Sequence, residues 1–187
     1  MNLFENFDTT ELTLRNPPAD NSLQTFKELQ DLNNIELNKN FVVQKDDIIS
    51  NFENINKQAG LNFPREDVQK LQDDSSEVIK GLKNYFNRPR PKTVAKNLGM
   101  NMENVELKSM KTPSYPSGHS AQSKLIANML SDEFPQLKFQ YQKEANDISD
   151  SRNIGRAHFK SDSDFGKEVG DRMYQYLKTN GYAFSKK

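Results

Sequence analysis

The chain has 187 residues and no cysteine, which excludes disulfides, thiolate metal ligands and a cysteine nucleophile. Its 26 lysines and arginines balance 26 aspartates and glutamates, so no global field draws it to nucleic acid or an anionic membrane, and any anion site must be local. At this length, with 34% hydrophobic residues, the expectation is a single domain over residues 1–187 with a thin core, a shortage that a homodimer would relieve.

Met1 to Asp8 has neither a basic start nor an apolar run, which reads as a cytoplasmic chain without a secretory signal. The longest apolar windows fall well short of the ~18–20 residues a spanning helix needs. Residues 1–20, with Pro17-Pro18 and little periodicity, read as an N-terminal arm or an extended lead-in. An Asn21-Ser22 cap followed by Leu23, Phe26, Leu29 and Leu32 predicts an amphipathic helix, and Ile48, Ile49, Phe52 and Ile55 predict a second that ends near Gly60. The clearest helix starts at Pro64, is acidic in its first turn, and carries Val68, Leu71, Ser75, Val78, Ile79, Leu82 and Phe86 on one face. It must stop before Pro89 and Pro91, so Lys83 falls in its last turn and Arg90 just beyond the break.

A short helix is expected around Val94–Leu98, then a surface loop through Lys111-Thr112-Pro113-Ser114-Tyr115 that borders a cleft. Ser117 reads as the N-cap of a helix carrying Ala121, Leu125, Ile126, Met129 and Leu130, with His119 in its first turn. Another helix is expected from Pro135 to about Asn153, broken by Gly155. A last one starts near Ser161, with Phe165, Val169, Met173 and Leu177 inward, Gly166 and Gly170 allowing close approach, and Asn180-Gly181 at its end. No β-type alternation, internal repeat or heptad is present, so the fold class is all-α, a helical bundle.

Histidine occurs only twice, which makes each placement informative. His158 lies within Ser151–Asp162, close to Arg152 and Asp162. His119 ends Pro116-Ser117-Gly118-His119, and Lys83 precedes Arg90-Pro91 by seven positions. Arginine presents a planar fork to phosphate oxygens, histidine supplies a nucleophile or proton carrier near neutral pH, and an aspartate can orient the ring. A helix start at Ser117-Gly118 adds free amides and a favourable dipole.

The three blocks read K-x6-R-P, P-S-G-H and S-R-x5-H-x3-D, and in this order the chain resembles the type 2 phosphatidic acid phosphatase superfamily. That group includes the class A bacterial acid phosphatases and the vanadium haloperoxidases. The resemblance covers Lys83 to Asp162, and no fixed position of the pattern is missing. It implies a helical bundle that hydrolyses a small phosphorylated substrate, a phosphomonoester or phosphoanhydride, with no metal and no cofactor. By the same resemblance His158 is the nucleophile that forms a phosphohistidine, Asp162 holds its other ring nitrogen, and His119 is general acid and then base. Lys83, Arg90, Ser117, Gly118 and Arg152 bind the phosphate. The absence of a spanning segment departs from the lipid-phosphatase branch, whose members are integral membrane proteins.

Other readings attach to the same residues. They could hold vanadate in a haloperoxidase, although those chains are generally much longer, or persist in an inactive binding protein. Ser117 serves as an N-cap in any case. Lys80, Arg88, Lys92 and Arg156 read as solvated surface cations, with substrate contact an alternative for Arg156. Asp147, Asp150, Asp162 and Asp164 lack the companion histidines of a metal site.

Overall fold

The computed structural model describes residues 1–185, and every regular element among them is helical. In chain order the helices are α1 (Leu23–Asn34), α2 (Lys39–Gln44), α3 (Ile48–Gln58), α4 (Arg65–Phe86), α5 (Pro91–Asn97), α6 (Gly118–Glu133), α7 (Lys138–Ile154) and α8 (Lys160–Thr179). Short 3-10 turns occupy Leu12–Leu14, Lys108–Lys111 and Pro135–Leu137. No helix among the described residues is long and apolar enough to cross a membrane.

Helix α6 is the axis of the bundle, with α8, α7 and α4 packed around it. Its apolar residues therefore surround the helix instead of forming one stripe, and Ala121, Leu125, Ile126, Ala127, Met129 and Leu130 are all buried. Two glycines on α8 set its distance from α6. A Cβ on Gly166 would lie 2.6 Å from the Ser117 carbonyl oxygen, and one on Gly170 would lie 2.4 Å from that of Ala121. Backbone meets backbone here, so the close approach expected of these two residues is what the packing demands.

Expected and observed helices agree closely from α3 onward. The N-terminal third departs further from the sequence reading. Ser22 caps α1 by accepting from the Thr25 amide, but Leu23 and Phe26 of the expected stripe are exposed, while Thr25, Leu29 and Leu32 face inward. The reason is that α1 covers only a small second core, made of Leu29, Leu32, Val94, Ala95, Met102 and Phe159. Residues 1–20 pack onto the bundle: Phe4 and Leu12 are buried in the main core, and Phe7 meets the edge of Tyr176 at 5.4 Å. Helix α2 has no counterpart in the sequence expectation, because six residues with one buried side chain, Val42, give no periodic signal.

The loop before α6 also differs in its second half. Ser114 and Tyr115 are buried, with the Tyr115 ring stacked on Phe165 at 4.4 Å and its hydroxyl donating to the Arg15 carbonyl at 2.7 Å. This seats the chain so that α6 starts at a fixed height against α8.

Candidate active site

Four helix ends converge at one place: the C-terminus of α4 and the N-termini of α5, α6 and α8. The Ser117 amide donates to the Asp162 carbonyl at 3.0 Å, tying the first turn of α6 to that of α8. The Ser114 amide donates to the Arg88 carbonyl at 2.8 Å, tying the same loop to the end of α4. Between them lies a cavity of about 350 Å³ whose wall includes Lys80, Lys83, Arg90, Gly118, His119 and His158. No carboxylate lines it among the described residues, so the cavity favours an anion.

His158 sits at its base, 4% exposed. Its Nδ1 is 3.2 Å from Asp162 Oδ2, and its Nε2 is 2.9 Å from Arg90 Nη1. A guanidinium only donates, so Nε2 must present its lone pair and the ring proton resides on Nδ1, facing the carboxylate. Burial pushes the imidazole pKa well below its ordinary value, and Arg90, Lys83, His119 and Arg152 add to that push. The ring is thus neutral, with the lone pair of Nε2 directed toward the cations.

Asp162 is completely buried. Its Oδ2 accepts from the Ser114 hydroxyl, from the Phe159 amide at 2.8 Å and from His158, while Oδ1 accepts from Arg88 Nη1 at 2.7 Å. Burial raises its pKa, against Arg88 and these donors, whose number requires the ionised, acceptor-only form. Arg88 is 2% exposed, lies 3.9 Å over the Phe159 ring and also donates to the Ser161 hydroxyl at 2.8 Å. Expected as a surface cation, it is instead the buried counter-ion of Asp162.

The remaining cations are set by backbone carbonyls. Lys83, in the last turn of α4, donates to Pro113 O at 2.6 Å, and burial followed by the nearby Arg90 pushes its pKa down to about 7. Arg90 caps α5 and donates to the carbonyls of Thr112, Ala157 and Ser109 at 2.9, 2.9 and 3.1 Å. These bonds aim the guanidinium at His158. Gly118 opens α6 on the cavity wall, where a Cβ would point between Ile79 and Lys83. Ser117 is fully buried as the cap, accepting from the Ser120 amide at 3.3 Å. Because Ser117 also serves Ala121 through its carbonyl, the Gly118 and His119 amides are the ones left to meet an anion.

Lys83, Arg90, Gly118, His119 and His158 share the cavity wall, with Asp162 directly behind His158. Ser117 and Arg152 do not line it. Arg152 is 1% exposed and donates to Asp46 Oδ1 at 2.9 Å, Val42 O at 3.0 Å and Ser151 Oγ at 3.0 Å. Arg156 faces away from the cavity: at φ 56° it donates to the carbonyls of Leu32, Asn33 and Ile35, capping the end of α1. No group of three His, Cys, Asp or Glu among the described residues could hold a metal ion.

Sequence reasoning missed Arg88 and Asp46. A signal for Arg88 exists in Asn87-Arg88-Pro89-Arg90-Pro91, where a helix end precedes two prolines and both arginines must turn back toward the break. Asp46 has none, lying in an ordinary polar turn.

A family model described as the PAP2 superfamily matches residues 75–166, a span that contains the whole cavity-forming set. Two curated relatives, the non-specific acid phosphatases of Salmonella typhi and of Salmonella typhimurium, are 35% and 34% identical to the chain over 97 residues. That stretch is 52% of this chain and 38% of each relative, so the chain covers well under half the length of the curated relatives it matches.

Proposed function

We propose that the chain is a member of the PAP2 superfamily, whose model matches residues 75–166, and that it is a metal-independent phosphatase acting on phosphomonoesters through a phosphohistidine. The observation that carries this reading is a neutral, buried imidazole held between Asp162 on Nδ1 and Arg90 on Nε2, in a cavity walled by cations. The acid phosphatases to which the chain is similar support the substrate class.

In the first step a phosphomonoester enters with its oxygens toward Lys83, Arg90 and the Gly118 and His119 amides. These donors neutralise the phosphoryl oxygens and fix the phosphorus in line with His158. The Nε2 lone pair forms the N–P bond as the P–O bond to the alcohol breaks, and His119 gives its proton to the departing oxygen. Asp162 stabilises the imidazolium character that develops on His158. Water then takes the reverse path: His119 removes its proton, the new P–O bond forms, the N–P bond breaks, and inorganic phosphate leaves. Burial serves both halves, because it keeps His158 neutral and strengthens each charge interaction in the cavity.

Hydrolysis of p-nitrophenyl phosphate, followed by rapid acid-free quench of a radiolabelled substrate, tests the reading. An alkali-stable, acid-labile label on His158, absent from His158→Ala, is the expected result; turnover by His158→Ala at the wild-type rate would overturn it. Halide oxidation in the presence of vanadate and peroxide, without phosphate release, would assign the same residues to a haloperoxidase instead.

A further inference from the structure

The buried imidazole of His158 has a carboxylate partner four residues on, in the first turn of α8. His119 has a partner too, and it comes from a segment outside the family match. Asp46 lies in the turn between α2 and α3, and its Oδ1 is 3.1 Å from His119 Nε2 and 2.9 Å from Arg152 Nη1. Its backbone carbonyl oxygen is also 2.9 Å from His119 Nε2.

A carbonyl oxygen can only accept, so this contact puts a hydrogen on Nε2. The other ring nitrogen, Nδ1, is therefore the one free to exchange a proton with substrate. Arg152 is pinned to the same carboxylate oxygen while Val42 O holds its second nitrogen, so the Asp46 side chain has a fixed place despite being 43% exposed. From these contacts we propose, on the phosphatase reading above, that Asp46 is the positioning residue of His119. It holds the ring as the Nε2–H tautomer with Nδ1 toward the leaving group.

The site then contains two carboxylate–imidazole pairs with different tasks. Asp162 keeps a proton on Nδ1 of His158 so that Nε2 attacks phosphorus. Asp46 keeps a proton on Nε2 of His119 so that Nδ1 delivers a proton to the leaving oxygen and later takes one from water. The hydrogen bond from His119, followed by the charges of His119 and Arg152, holds the Asp46 carboxyl below the usual carboxylate range, so it remains anionic in mildly acidic solution. Around His119 the charged groups are Asp46 from the α2–α3 turn and Arg152 from α7 on one side. Lys80 and Lys83 from α4, Arg90 from the start of α5 and His158 stand on the cavity side. Asp46 is the negative member of that set, while its neighbour Asp47 is engaged in capping α3 through Ser50.

The test compares the wild type with Asp46→Asn, which keeps size and an acceptor but loses charge, and Asp46→Ala, which loses both. Each is assayed on p-nitrophenyl phosphate, whose leaving group needs little protonation, and on glycerol phosphate, whose alkoxide needs it fully. Asp46→Ala should lower kcat on glycerol phosphate by about 10–100-fold, a part of what a general acid contributes, and on p-nitrophenyl phosphate by less than about fivefold. Asp46→Asn, which keeps an acceptor for Nε2–H, should retain more of the glycerol phosphate rate than Asp46→Ala does.

Equal losses on both substrates, with the melting temperature lowered in step, would make Asp46 a structural residue and overturn the proposal. Nitrogen-15 NMR of the His119 ring gives a readout that does not depend on turnover: Nε2–H in the neutral wild type and a shift toward mixed tautomers in Asp46→Ala. A wild type that releases no phosphate would refute the phosphatase reading alone, whereas a neutral His119 protonated on Nδ1 in the wild type would refute the role of Asp46.

Discussion

Replacing Arg88 with methionine isolates the buried ion pair behind His158. Methionine preserves most of the volume over the Phe159 ring and removes only the charge and the donors. The Arg88 and Asp162 side chains are 1% and 0% exposed and 2.7 Å apart, so Arg88→Met leaves a carboxylate with no counter-ion in a site that water does not reach. Breaking a buried pair in this way costs about 3–5 kcal/mol, and the lower part of that range applies because Asp162 can escape by taking a proton. With about 3–4 kcal/mol lost, and 2–4 °C per kcal/mol for a chain of this size, the melting temperature at pH 7 should fall by about 6–16 °C. The sign of the pH dependence follows from the carboxyl. Burial already raises the folded pKa of Asp162, and removing Arg88 raises it further. A raised carboxyl contributes stability that is present at low pH and lost as pH rises through its folded value, so the deficit should shrink at pH 5 and grow toward pH 8. Circular-dichroism melts at several pH values measure this. kcat should fall about 10²-fold or more, because a protonated Asp162 no longer holds Nδ1–H of His158 as an anion does. A melting temperature within about 2 °C of wild type at pH 7, or a deficit that does not change with pH, would refute the reasoning.

Further outcomes are expected. Gly170→Ala forces a Cβ to within 2.4 Å of the Ala121 carbonyl, so α6 and α8 must separate; a loss of about 1–3 kcal/mol should appear in denaturant unfolding, with kcat lowered as the tie between Ser117 and Asp162 loosens. Lys83, with its pKa pushed down to about 7, should make inhibition by sulfate weaken as pH rises above 7, a limb that Lys83→Gln flattens while raising Ki about tenfold or more. The same depressed value means the unfolded chain binds the extra proton above pH 7, so the free protein should gain stability between pH 7 and about 10 relative to Lys83→Gln. His119→Ala should slow alkyl phosphates far more than p-nitrophenyl phosphate, whereas His158→Ala should abolish turnover of both. Vanadate should inhibit competitively as a mimic of the five-coordinate phosphorus, and overnight dialysis against EDTA should leave the rate unchanged.

How much was legible in the chain depends on whether a residue acts within one element or between two. Helices α3 to α8 follow from periodicity and from breakers such as Pro89, Pro135 and Gly155, because each is long enough to repeat its pattern. Their ends also located Lys83, Arg90, His119 and His158, since the motifs that carry these residues begin or end a helix. The glycines at 166 and 170 were readable as contacts for the same reason: one residue per turn on one face can serve only a neighbouring helix. Helix α2 was not readable, and the exposed Leu23 and Phe26 show why α1 misled. Its hydrophobic spacing is real, but the inward face of a helix is chosen by what it packs on, and here that is a six-residue cluster with Thr25 turned in to meet Arg88 and Ala19.

Charge was harder to read than apolarity. Arg88 and Arg90 stand two residues apart, and nothing in their types says which faces an anion from outside and which is spent on one inside. The distinction arises because α1 brings Glu28 and Thr25 to one side of the break while the loop at Ser109–Pro113 brings carbonyls to the other. Arg88 finds carboxylates and is neutralised; Arg90 finds carbonyls, the Thr112 hydroxyl and the His158 ring, neutral partners that orient it without cancelling its charge. The same logic separates the two aspartates that matter. Asp162 is four residues from the imidazole it holds, a spacing visible in the sequence. Asp46 is 73 residues from His119, and the contact exists only because α2 and α3 lie against α7 and bring their turn to the first turn of α6. An imidazole supported from four residues away leaves a pattern to read, and one supported across the bundle is seen only once the bundle is folded.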